Sequence, residues 1–84
     1  MEKTFSIKGK EFRFSDADVK KVAASMKPGA RLKVKYYAKV QNQPYPARQL
    51  VVDMVRRRGD AMPDIITYQA IHILRALEFE IVEM

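Results

Sequence analysis

The chain has 84 residues, 48% of them hydrophobic and 31% charged, with a formal net charge of +6 and no cysteine. That length supports one domain over residues 1–84 and leaves no room for a cleft between lobes. The missing cysteines exclude disulfides and thiolate metal sites, and no apolar run reaches the length of a signal peptide or membrane span, so the expectation is a soluble, cytoplasmic protein. The charge is uneven: residues 1–15 carry +2, residues 16–58 carry +8 and residues 59–84 carry −4. A basic middle beside an acidic end implies an anionic partner or internal charge pairing.

Residues 4–14 read as a β-hairpin about a two-residue Gly9-Lys10 turn, which suits type II′ geometry. That register sets Lys8 opposite Glu11, Ile7 opposite Phe12 and Phe5 opposite Phe14, with the four apolar side chains on one face. Ser15 follows as a helix N-cap with Asp18 three residues on. Val19, Val22, Ala23 and Met26 then recur at helical spacing until Pro28-Gly29 ends the helix.

The stretch RLKVKYYAKV, residues 31–40, alternates. As a strand it places Leu32, Val34, Tyr36, Ala38 and Val40 on one face and Arg31, Lys33, Lys35, Tyr37 and Lys39 on the other. Residues 41–46 read as a Pro-rich turn, with Pro46 as the first helical residue. Ala47, Leu50, Val51, Met54 and Val55 form the stripe of a second helix, which Arg56, Arg57 and Arg58 close with Gly59 at C′. After a loop over residues 60–64, Thr67 caps a third helix. Ala70, Ile73, Leu74 and Leu77 face inward, Tyr68 and Ile71 sit at the margin, and Gln69, His72 and Arg75 point outward. Residues 78–83 alternate as a last strand. The order ββαβααβ predicts an α+β domain: a small, mostly antiparallel sheet of N-terminal hairpin, central basic strand and C-terminal strand, packed against three helices.

Catalytic and metal-binding patterns are missing. His72 is the one histidine, with no nucleophile motif or glycine-rich oxyanion loop beside it, and no acidic loop has calcium-binding spacing. Asp16 and Asp18 stand where a helix dipole favours acids. The chain is therefore read as no enzyme, with no cofactor, no metal and no small-molecule substrate.

Three cationic features remain. Lys33, Lys35 and Lys39 around Tyr37 can neutralise phosphates and stack a base. The competing reading is that Glu78 and Glu80 of the last strand pair with these lysines. Arg56, Arg57 and Arg58 complement a helix C-terminus or bind phosphate through their planar forks. Gln69, His72 and Arg75, on the second of two helices joined by a connection, have the chemistry of a reading helix.

The stretch KYYAKVQNQPYPARQ at residues 35–49, DIIT at 64–67 and ILRALEFEIV at 73–82 together resemble a group of small uncharacterised bacterial proteins. Their pattern is a KYYxxV strand, a glycine-containing turn, YPxKQ opening a helix, and a later helix ending ILRxLGFEV. More distantly, the layout is similar to the N-terminal head domain of McrA-type modification-dependent endonucleases, which implies a DNA-related role. Arg48 keeps the cation of the YPxKQ element. Gln41, Asn42 and Gln43 replace the turn glycine, where Asn42 suits a left-handed backbone, and Glu78 replaces the glycine that ends the third helix.

The function expected is thus a small, basic, non-catalytic nucleic-acid-binding module working mainly through phosphate contacts. Its candidate residues are Lys33, Lys35, Lys39, Arg48 and Arg56 to Arg58 for phosphate, Tyr37 for stacking, and Gln69, His72 and Arg75 for bases. The alternative is a protein-interaction or accessory domain, including a homodimer whose basic and acidic segments complement each other.

Overall fold

In the computed structural model, which describes residues 2–29, 33–59 and 65–83, the first turn is built from Lys8 and Gly9. Both have positive φ, 51° and 82°, as the central pair of a type I′ turn requires. Strands β1 (Glu2–Ile7) and β2 (Lys10–Ser15) therefore pair with Phe5 opposite Phe12 and Ile7 opposite Lys10. The expected turn was one residue later, so the register differs from expectation by two. A shift of two preserves the faces, and Phe5, Ile7, Phe12 and Phe14 are all buried together. The Phe12 and Phe14 rings stack with centroids 5.7 Å apart. A lone hairpin is marginal in water; this one is a separate two-stranded sheet whose apolar face joins the common core.

Helix α1 (Asp16–Ala24) starts at the expected cap. The Asp18 amide donates to Ser15 Oγ at 3.3 Å, and the Ser15 amide donates back to Asp18 Oδ2 at 2.8 Å. Val19, Val22 and Ala23 bury the inner face.

The basic strand is shorter than its alternation predicts. β3 covers Tyr36–Val40. Lys33 has φ 66°, a left-handed conformation that cannot continue an extended chain. Arg31 and Leu32 lie outside the described residues, as does the loop over residues 60–64. Gln41 and Asn42 take φ 52° and 66°, so the hairpin turns without glycine. The chain then runs back as β4 (Gln43–Pro46), paired to β3. The Pro-rich stretch is thus half turn and half strand. Prolines survive in β4 because it is an edge strand.

Pro46 is the N-cap of α2 (Ala47–Arg57) rather than its first residue. Ala47, Leu50, Val51, Met54 and Val55 are buried as the stripe predicts, and Gly59 takes φ 86° beyond the helix end. Helix α3 (Thr67–Ala76) has Ile66, not Thr67, at its N-cap, where the Ile66 amide donates to Gln69 Oε1 at 3.4 Å. The chain closes as β5 (Glu80–Glu83), antiparallel to β3, giving a three-stranded sheet in the order β4-β3-β5. The architecture is α+β, with five strands in two antiparallel sheets rather than one, and three helices. Ala38, Val40 and Tyr45 share one apolar cluster with all three helices and the N-terminal hairpin. Among the described residues no charged side chain is buried, and no helix is long and apolar enough to cross a membrane.

The end of α3 carries a misfit. The Phe79 amide donates to the Leu74 carbonyl at 3.0 Å and the Glu78 amide to the Arg75 carbonyl at 2.9 Å. This is a Schellman cap with Glu78 at C′, and φ there is 70°. A β-carbon in that conformation costs about 1–2 kcal/mol. Glu78→Gly is expected to stabilise the fold by about 1 kcal/mol, raising Tm by roughly 4–8 °C; thermal denaturation followed by circular dichroism measures it.

Candidate nucleic-acid interface

Alternation along β3 holds for its faces but not for exposure. Tyr37 was expected on the wet, cationic face; it is fully buried, at 0% exposure, so its ring is closed to a stacking base. In the sheet it stands between Pro46 of β4 and Val82 of β5. Its hydroxyl donates to the Val34 carbonyl at 3.0 Å. The chain ahead of β3 is not extended, which brings that carbonyl within reach of the ring.

Lys39 stays exposed, but its neighbour across β5 is Glu80. Directly opposite residues share a face at about 4.5–5.5 Å between β-carbons. The acid therefore offsets part of the charge that Lys39 would offer a phosphate. Lys33 and Lys35 precede the strand, are exposed, and have no cross-strand acid in the sheet register.

The arginines of the cluster are exposed, yet each makes a contact within the protein itself. Arg56 pairs with Asp53 at 3.2 Å, one turn back. Arg57 Nη2 donates to Ser25 Oγ at 2.8 Å, tying α2 to the end of α1. Arg58 Nη2 donates to the Arg13 carbonyl at 2.6 Å and lies 3.2 Å from Asp18 Oδ2. Its guanidinium also sits 5.5 Å from the Phe14 ring centroid. Arg58 thus joins α2, the α1 cap and β2, which is work enough to account for it. Gln69 has a similar duty in capping α3. His72 and Arg75 are exposed on α3.

What the fold brings together is a different set. A groove of about 480 Å³ is lined by Lys33, Lys35, Tyr36, Arg48, Thr67 and Tyr68 among others. It lies where three pieces of chain meet: the segment entering β3, the first turn of α2 and the first turn of α3. Arg48 helps to hold that junction, since its Nε donates to the Ile65 carbonyl at 2.7 Å. Neither helix has an acid in its first turn or a cap from the side chain at its N-cap. The two positive helix ends therefore add their partial charge to that of the three cationic side chains.

Tyr36 and Tyr68 are the residues that sequence reasoning missed. Tyr36 reads as core by alternation and is half-buried at the groove wall. Tyr68 reads as the margin of an apolar stripe, yet it is 75% exposed. Its position one residue into the helix was a weak signal, because only the packing of α3 against its neighbours decides whether a marginal ring is covered. Among the described residues, no group of three His, Asp or Glu side chains is placed to hold a metal ion.

No protein-family model, curated protein or solved structure matches the chain.

If Arg58 is a clamp, Arg58→Ala should destabilise the protein by about 1–2 kcal/mol, through the lost hydrogen bond and the lost contact with Phe14. Arg75→Ala should stay within about 0.5 kcal/mol of the parent. Urea denaturation of the two variants separates these outcomes.

Proposed function

We propose that this protein is a small, non-catalytic nucleic-acid-binding module whose phosphate contacts come from Lys33, Lys35 and Arg48. The observation that carries this reading is the groove in which those cations surround an exposed tyrosine ring. Cations placed beside an aromatic face are what polynucleotide recognition needs, since every nucleotide offers one phosphate and one flat base. The net charge of +6 favours approach of a polyanion from a distance. The likeness to endonuclease head domains points the same way.

The reading narrows the set of phosphate ligands drawn from the sequence. Arg56, Arg57 and Arg58 serve the fold, and Lys39 shares its face with Glu80.

The double variant Lys33→Gln, Lys35→Gln tests the proposal. Both side chains are exposed, so the melting curve should not move. Oligonucleotide affinity at low salt should fall, and the slope of log K against log salt should shrink by about 0.7–0.9 for each phosphate contact removed. Unchanged affinity and slope in a folded variant would remove these lysines from the site.

A further inference from the structure

A second groove, of about 350 Å³, lies between β1 and α3, lined by Thr4, Ser6, Tyr68, Gln69, His72 and Ile73 among others. Tyr68 is common to both grooves. Its ring is therefore a ridge with a basic groove on one side and, on the other, a groove of apolar floor and polar rim that holds no Lys, Arg, Asp or Glu. Both volumes fall within the range of roughly 300–1,000 Å³ usual for ligand sites. Resting on the function proposed above, we infer that the ligand is a single-stranded polynucleotide, which crosses Tyr68 with successive nucleotides on either side of it.

The argument turns on what the ridge can touch. In a duplex the bases are stacked and paired, so a protruding ring meets only the sugar-phosphate surface. Its face is used when a base is already unstacked, as in a single strand. The two sides of the ridge also differ as a strand's needs differ. Lys33, Lys35 and Arg48 on one side suit phosphate. On the other, Gln69 and His72 from α3 with Thr4 and Ser6 from β1 offer donors and acceptors to a base edge, at hydrogen-bonding strength and without net charge. This gives His72 a role as a hydrogen-bonding contact in the second groove. Arg56, Arg57 and Arg58 lie outside both grooves and contact groups of the protein itself.

The test is fluorescence anisotropy at low salt with labelled oligodeoxythymidylates of one to eight nucleotides, an oligouridylate of eight, and a duplex of eight base pairs. Single strands should bind more tightly than the duplex, with affinity rising from one nucleotide to two or three. Tyr68→Ala should weaken single-strand binding by at least about fivefold, the loss of one base–ring stack. Tyr68→Phe should restore it, and neither change should alter the melting curve because the side chain is exposed. His72→Ala should leave the mononucleotide unaffected and reduce the gain with length. Equal or tighter binding to the duplex, still dependent on Lys33 and Lys35 but indifferent to Tyr68→Ala, would overturn this inference and leave the proposed function standing. No binding to any oligonucleotide would overturn both.

Discussion

The pairing of β5 with β3 is the constraint from which the arrangement of the C-terminal half follows. It returns the end of the described chain to the flank of the central strand β3, with Ala38 opposite Ile81 and Lys39 opposite Glu80. The two helices between those strands must then cross back over the sheet, and their apolar stripes meet Ala38, Val40 and Tyr45 in one cluster. Closing so long a loop costs only slightly more than closing a short one, because the entropy grows with the logarithm of length. Burial of Tyr37, Leu50, Val51 and Leu74 sets against that cost side chains worth about 1.5–3 kcal/mol each for the larger ones. With β5 in place, the first turns of α2 and α3 come to lie beside the segment entering β3, and the basic groove is the space left among them.

The cations divide their labour by chemistry. Arginine forks hold several acceptors at once, and the structure uses them where separate elements must be tied: Arg58 to the Arg13 carbonyl and Asp18, Arg57 to Ser25, Arg48 to the Ile65 carbonyl. The lysines ahead of β3 remain in water, where a strongly hydrated ammonium costs nothing to keep. The N-terminal hairpin depends on the first group. Among the described residues it makes no strand ladder with the other sheet, and its four buried apolar residues and the Arg58 contacts help to attach it.

Several features were legible in the residues because their causes are local. The Ser15–Asp18 cap, the stripe of α2, the helix-ending Gly59 and the left-handed Asn42 each follow from a side chain and its near neighbours. The hairpin register was legible in its faces but not in its turn. Gly9 accepts a positive φ at either turn position, and a type I′ turn asked the same of Lys8. The candidate site was legible only in its lysines and Arg48. Tyr37 keeps its face but is covered, and Tyr36 is only half-buried, because packing around the sheet and not alternation within β3 decides how far each ring is closed.

By itself, then, the sequence determined the three helices with their apolar stripes, the N-terminal hairpin, the central strand and the last strand, since periodicity, capping and turn preference act over a few residues; β4 it left as a turn. It also determined that the middle of the chain is cationic. Tertiary structure alone decided which strand lies beside the lysines and that Arg57 and Arg58 reach acceptors on distant elements. It also left Tyr68, not Tyr37, as the open ring. Those outcomes depend on contacts between segments far apart in the chain, where one strand's choice of neighbour decides which charges are met and which side chains water still reaches.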